Sequence, residues 1–453
     1  MSKLMVSISG IRGIVGDGLT PQVIVNFAQA FGTYLGNGKV VVGRDSRVTG
    51  PMVKHAVFAG LMAAGCDVID IGMCPTPTIQ MAVKHLQARG GIAITASHNP
   101  IEWNAMKLID SSGLFLDEIQ GKKVIKFVEK NNYHNVAWDQ IGKIELFNEA
   151  INHHINSILK LDIIDPELIA DKKLKVVIDC VNGAGGTILP QLLEKLGCEA
   201  IFINEEPTGL FSRAPEPLPE NLKELCKKVK AVKADIGFAV DTDVDRLAIV
   251  SDKGKPLGEE YTLVLAINYV LQKKNGPVVV NASMSKAVDD IAKKYGTEII
   301  RTKVGEIFVV QKMKEVKAVI GGEGNGGVIL PELHLGRDAP AGIALTLQQL
   351  ALFRGKISEL YQSLPQYYLS KNRIELINID VTNVLDTIME KYKRQKIDLT
   401  DGLKILWRNR WVQIRPSNTE PIIRIYSEAK TAEEANALGF KFVKEIEKIM
   451  KKK

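Results

Sequence analysis

Short apolar runs alternating with amphipathic stretches set the rhythm of this chain. Residues 39–42 and 67–71 read as strands, and residues 91–94 form a run without a polar position, as in a strand covered on both faces. Between them Val23, Phe27, Ala30, Phe31 and Leu35 recur at helical spacing, with Thr20 as N-cap and Pro21 in the first turn; residues 52–64 give a second helix. Strand and helix in alternation predict a mainly parallel sheet. The Pro-containing residues 161–173 predict a linker zone, followed by a strand over 174–180, a glycine turn at 181–186, a helix over 188–196 and a strand over 236–240. A third unit follows, with helices over 261–272 and 286–295 and strands over 277–280, 298–301 and 318–320. From about Asn372 the pattern becomes strand, helix, hairpin strands and a last helix, which Thr431 and Glu434 open as a capping box. The expected fold is α/β: three tandem mixed α/β domains (1–155, 156–255 and 256–369) plus a C-terminal α+β domain (370–453).

Composition narrows the class. With 453 residues, 45% hydrophobic and 25% charged, the chain suits a globular protein of several domains. The net charge of +7 is spread along the sequence and aromatics are only 6%, which predicts no nucleic-acid partner. No apolar run approaches the ~20 residues of a membrane helix. Cys66, Cys74, Cys180, Cys198 and Cys226 are odd in number and lack C-x-x-C spacing, so a reducing cytoplasm is the expected location. Monomer and homodimer both remain open.

Four loops carry candidate chemistry. Thr95-Ala96-Ser97-His98-Asn99-Pro100 ends an apolar strand and delivers a hydroxyl to the rim of a sheet, making Ser97 a candidate nucleophile. Alone, Ser-His-Asn-Pro is as readily a plain turn. Asn104 and Lys107 downstream favour a site. Asp241, Asp243 and Asp245 alternate in a short loop between apolar runs, and their hard oxygens suit Mg²⁺. An EF-hand is excluded by Arg246 at position six and Asp252 at position twelve. Residues 321–327 are glycine-rich and offer Glu323 and Asn325 to sugar hydroxyls. Arg415-Pro416-Ser417-Asn418-Thr419-Glu420-Pro421, with Arg424 beyond, could clamp a dianionic phosphate, or form a polar hairpin tip.

Other segments stay ambiguous. Arg12 between Gly10 and Gly13 reads as a ligand arginine or an exposed turn, and Lys303 as a phosphate contact or a solvated side chain. Asp45 and Arg47 are as readily structural as phosphate-facing. The glycine turn at 181–186 fits no nucleotide motif, and tight strand-to-helix packing is its expected role.

Together these loops resemble the α-D-phosphohexomutases, over essentially the whole chain. The family's T-A-S-H-N-P, N-G-x-K, D-G-D-x-D-R, G-E-x-S/N-G and R-P-S-G/N-T-E-P patterns stand here as TASHNP, NAMK, DTDVDR, GEGNG and RPSNTEP, with Ala105 and Thr242 where glycine is usual. The resemblance implies domains around a central cleft and interconversion of hexose 6- and 1-phosphates through a phosphoserine and a bisphosphorylated sugar. It implies Ser97 with Asp241, Asp243 and Asp245 around Mg²⁺, catalytic neighbours Arg12, His98 and Lys107, and substrate contacts from Arg246, Lys303, Glu323, Asn325, Arg415, Ser417, Asn418, Thr419 and Arg424. Hexose 1,6-bisphosphate is the implied activator. The Glu-Gly-Asn-Gly-Gly loop resembles the archaeal-type phosphoglucosamine mutase branch, which puts glucosamine phosphate first and mannose or glucose phosphate second. A phosphatase and a non-catalytic phosphosugar sensor are the rivals.

Overall fold

The computed structural model describes residues 4–375, 381–416 and 422–450. The chain gathers into two compact units, Met1–Ala266 with Asn325–Leu360 and Ile267–Gly324 with Tyr361–Lys453.

In the first unit, one sheet runs in the order Leu4–Ser7, Gly10–Val15, Trp103–Asp110, Gly90–Ile94, Gly38–Arg44, Cys66–Met73, Ile144–Leu146, with Gly18–Leu19 beside Gly10–Val15. Side chains alternate across it: Val40, Val42, Ile92 and Ile94 enter one buried cluster, Val41 and Ala93 the other. Both faces are covered, as the unbroken apolar run predicted. The sheet is mixed, however. Gly38–Arg44 pairs in parallel with Cys66–Met73 and Gly90–Ile94, whereas Trp103–Asp110 is antiparallel to both of its neighbours. The reason is the short connection over residues 95–102, which leaves no room for the crossover a parallel return requires. Gly10-Ile11-Arg12-Gly13 is likewise a strand and not a turn. Gly10, at φ +136°, is needed there because a Cβ would stand 1.8 Å from the Met106 carbonyl oxygen.

A second sheet runs Glu199–Ile203, Lys175–Asp179, Ile236–Val240, Leu247–Ser251; its first three strands are parallel and the last antiparallel, again across a short loop, residues 241–246. The glycine turn packs as expected, since a Cβ on Gly185 would touch Val240 and Cys180. The expected linker contains a helix, Pro166–Asp171, because Asp165 caps it through the Leu168 N–H. Further helices lie outside the sequence expectation, among them Thr76–His85, Glu118–Glu129, Ala150–Leu159, Lys223–Val232 and Ala339–Phe353. The last is buried over nearly its whole circumference and so shows no amphipathic stripe.

In the second unit, Ile299–Thr302, Val278–Asn281 and Ile320–Glu323 pair in parallel. An antiparallel sheet follows in the order Tyr368–Glu375, Ile422–Ala429, Trp411–Pro416, Leu403–Leu406, Lys396–Asp398. Ile405, Ile414 and Ile425 of this sheet pack with Phe442 of the helix Ala432–Met450, giving the α+β arrangement. The Thr431 hydroxyl accepts the Glu434 N–H at 3.2 Å, as the capping pattern required. Among the described residues no helix is long and apolar enough to cross a membrane, and all five cysteines are free thiols.

Candidate active site

Ser97 sits at the end of the buried strand Gly90–Ile94 in the left-handed region, φ +47°, which a residue other than glycine holds only when its surroundings fix it. Those surroundings are explicit. The Ser97 N–H donates to Thr95 Oγ1 at 3.0 Å, and its carbonyl accepts from Arg47 Nη2 at 2.6 Å and Thr242 Oγ1 at 2.8 Å. Arg47, fully buried, also donates to the carbonyls of Asn99, Pro100 and Trp103, and its Nε lies 3.2 Å from Asp45 Oδ2. The Asp45–Arg47 pair is therefore the structural brace of the serine loop, which resolves the alternative left open by the sequence. Burial pushes the Asp45 carboxyl up, opposed by Arg47 and the Thr95 hydroxyl.

The aspartate loop meets this serine directly. Ser97 Oγ donates to Asp241 Oδ2 at 2.8 Å, and the N–H groups of Asp245 and Arg246 donate to Asp241 Oδ1. Asp243 Oδ2 accepts from Lys107 Nζ and Thr76 Oγ1, each at 2.8 Å, and Asp245 Oδ2 from Arg337 Nη2 at 2.6 Å. One oxygen from each carboxylate falls within 4.8 Å of the others, and all three residues are buried. Asp243 Oδ1 and Asp245 Oδ1 are buried without a hydrogen-bond partner among the described residues. Burial, then Asp245 and Asp243, hold the Asp241 carboxyl well above its ordinary value; burial acts the same way on Asp243, but Lys107 and Thr76 outweigh it and keep that carboxyl low. Orphaned hard oxygens converging in a buried anionic cluster fit a divalent cation such as Mg²⁺.

The other expected neighbours are close by. Arg12, half-buried, donates from Nη1 to Asn99 Oδ1 at 2.8 Å, and burial lowers its pKa. His98 keeps Nδ1 buried and unpartnered, and burial with Arg246, Arg12 and Lys107 around it brings its pKa down to about 2, so the ring is neutral. Arg246 pairs with Glu216 and approaches Asp245 at 3.8 Å. Ala105 lies in the strand Trp103–Asp110, where an extended backbone has no need of glycine. Asn325, in the first unit, folds its Oδ1 back onto the Gly327 N–H at 3.3 Å.

Within the second unit, Glu323 Oε1 accepts from Asn281 Nδ2 at 3.2 Å and from the Gly305 N–H at 2.9 Å, which fixes the carboxylate beside the 302–305 loop. Lys303 is exposed. Arg415 lies 3.4 Å from Asp401, whose Oδ2 also accepts the Val304 N–H at 3.2 Å. Arg415 is the register partner of Arg424, and Arg424 of Arg373, so three arginines share one row across three strands. Like charges directly opposite repel, and an anion relieves them. Ser417, Asn418 and Thr419 lie outside the described residues.

Thr76, Arg337 and Arg373 did not stand out in the sequence. Each arrives from a separate element with no local motif; Thr76 is 167 residues from the aspartate it contacts.

This architecture sets a serine hydroxyl against three buried carboxylates that could hold a metal ion, and the comparisons name the family. Four consecutive stretches match the phosphoglucomutase/phosphomannomutase domains: α/β/α domain I over residues 4–135, II over 152–254, III over 258–368 and the C-terminal domain over 376–447. The chain belongs to the phosphoglucomutase/phosphomannomutase family. It is 41% identical to a "Phosphoglucomutase/phosphomannomutase" of Thermococcus kodakarensis, covering 96% of this chain and 97% of the relative. A "Probable phosphoglucosamine mutase" of Methanopyrus kandleri is 38% identical, with 96% of each chain covered. A crystal structure of a phosphoglucomutase/phosphomannomutase family protein from Burkholderia thailandensis superposes with a TM-score of 0.84 at 27% identity over 98% of both chains.

Proposed function

We propose that this phosphohexomutase interconverts hexose 6-phosphate and hexose 1-phosphate, with glucosamine phosphate as preferred substrate. The observation that carries the reading is Ser97 Oγ at 2.8 Å from Asp241 in a cluster of three buried carboxylates, a hydroxyl placed beside a cation cage. Asp241, Asp243 and Asp245, with an oxygen on Ser97, would hold Mg²⁺, which when bound offsets the negative charge of a phosphoryl group and stabilises charge during its transfer.

The chain's own residues do the rest. Arg47 and Thr242 hold the Ser97 backbone so that Oγ keeps its direction. A phosphoryl group on Ser97 passes to the free hydroxyl of a bound sugar phosphate: the Ser97 O–P bond breaks, the sugar O–P bond forms, and the hydroxyl proton ends on the departing Ser97 oxygen, with Arg12, His98 and Lys107 beside the reacting group. The bisphosphorylated sugar then turns and returns its other phosphate to Ser97. Arg415 and Arg424, with Ser417, Asn418 and Thr419, would clamp the phosphate that is not reacting; Glu323 and Asn325 would grip hydroxyls, and Lys303 and Arg246 would make further substrate contacts. The in-register arginines support the clamp. Hexose 1,6-bisphosphate would act as activator by phosphorylating Ser97, and the five free thiols support a cytoplasmic location.

The Glu-Gly-Asn-Gly-Gly loop and the Methanopyrus relative support glucosamine phosphate; the 41% identical Thermococcus relative supports glucose or mannose phosphate as the second reading. Turnover of glucosamine, N-acetylglucosamine, mannose and glucose phosphates with Mg²⁺ and bisphosphate decides between them. The expected result is highest kcat/KM for glucosamine phosphate and loss of isomerisation in Ser97→Ala. Release of inorganic phosphate in place of isomerisation would favour a phosphatase. Binding without turnover would favour a sensor.

A further inference from the structure

A second cavity, of about 370 Å³, opens in the first unit, and none of the residues assigned above lines it. Its volume falls within the range of small-molecule sites. The lining brings together Gln80, Lys84, His85, His153, His334 and, among several apolar side chains, Leu333. No carboxylate among the described residues lines it.

The fold builds this wall deliberately enough to leave a polar group unsatisfied. Gln80 is only 2% exposed, and its Nε2 has no hydrogen-bond partner. That nitrogen is itself buried, so Gln80 closes the floor of the cavity and does not offer its N–H to an occupant. Lys84 stands one turn further along the same helix, Thr76–His85, and therefore on the same face. His85 and His153 stack with ring centroids 3.7 Å apart, and His334 is held by a 2.9 Å bond from Nε2 to Asp338 Oδ2. That same oxygen lies 2.8 Å from His154 Nε2, whose Nδ1 meets Thr78 Oγ1 at 2.8 Å, so buried polar contacts support the wall from behind.

We propose that this cavity binds a small organic anion, with the anionic group taken by Lys84 and the histidines and an apolar body against Leu333. Donors and a cation without a carboxylate select negative charge, and the apolar share of the wall selects against a bare inorganic ion. The site is distinct from the aspartate cluster, although the elements that form it reach that cluster at their far ends through Thr76 and Arg337.

Benzoate is a suitable probe because it carries a carboxylate and an apolar ring but no phosphate. It is titrated into the full chain labelled at the histidine rings, with NMR signals assigned by single substitutions. The expected result is a saturable shift of His85, His153 and His334 with His98 unmoved. Lys84→Glu, at an exposed position, should raise the Kd at least about tenfold, the scale of a lost hydrogen bond to a charged group, while melting near the parent temperature. Inorganic phosphate should shift these three signals more weakly than benzoate at equal concentration. The proposal is overturned if benzoate moves only His98, if Lys84→Glu binds as tightly as the parent, or if inorganic phosphate matches benzoate.

Discussion

Arg337 reaches the aspartate cluster only because residue 327 has no side chain. A Cβ on Gly327 would stand 2.3 Å from Arg337 Cδ and 2.9 Å from its Cγ, so the arginine stem occupies the space that a larger residue would take. From there Nη2 bonds Asp245 Oδ2 and leaves Oδ1 without a hydrogen-bond partner among the described residues. Groups that orient a metal ligand typically contribute 10–100-fold in affinity or activity. Arg337→Ala should therefore lower Mg²⁺-supported kcat/KM by about that factor, and Gly327→Ala should do the same by displacing the arginine. Because both act through one contact, the double variant should be no worse than the more severe single, a non-additivity that steady-state kinetics will read directly. At this scale the sequence was legible where chemistry is contiguous: Ser97 and the three aspartates each belong to one short loop. It was silent where a group comes from afar, since Gly327 read only as one more glycine of the 321–327 loop and nothing tied it to an arginine ten positions away.

Elements rather than residues decide how rigid the serine loop is. Gly38–Arg44 and its continuation carry Asp45 and Arg47 beneath the loop that follows Gly90–Ile94, and one guanidinium collects four carbonyl oxygens. Lysine at 47 would keep the charge but lose the planar fork, so Arg47→Lys is expected to lower stability by about 1–3 kcal/mol for each buried carbonyl left without a donor, and to depress kcat more than KM. Urea denaturation with paired kinetics tests it. The helix Ala339–Phe353 offers a pH prediction. Its N-cap Asp338 is buried, which pushes the carboxyl up, yet His154 and His334 bond it and hold it well below the usual carboxylate range. A folded-state pKa lowered in this way contributes stability above the unfolded value of about 3.9 and loses it as pH falls towards the folded one. Asp338→Asn should thus cost about 2 kcal/mol near neutrality, and the gap to the parent should narrow only below about pH 4 in denaturation curves. Ile236–Val240 was readable to the residue because its apolar run is bounded by charge. Thr76–His85 and Ala150–Leu159 were not, because burial of one and a short, polar-rich pattern in the other hide the helical period.

For the molecule as a whole, the division into two units separates two functions that the sequence had assigned to successive domains. Asp241, Asp243, Asp245 and Ser97 all belong to the first unit, whereas Arg415, Arg424 and Glu323 belong to the second. The four tryptophans divide likewise, with Trp103 and Trp138 in the first unit and Trp407 and Trp411 in the second. Trp138 is 86% exposed and Trp411 only 1%, capped by Lys404 Nζ at 3.9 Å from its ring centroid, so Trp411 is the stronger reporter of its own unit's unfolding. A cation bound by one unit stabilises that unit by mass action, about 2.7 kcal/mol at a hundredfold excess over Kd. Scanning calorimetry should accordingly resolve two transitions, with Mg²⁺ raising one by roughly 5 °C and leaving the other in place. Fluorescence of a Trp103→Phe/Trp138→Phe variant should follow the transition that Mg²⁺ does not move, and Asp243→Asn should abolish the shift in the other. A single transition that moved with Mg²⁺ in every variant except Asp243→Asn would mean that the units unfold together, and that the second unit senses the metal through a cooperative fold.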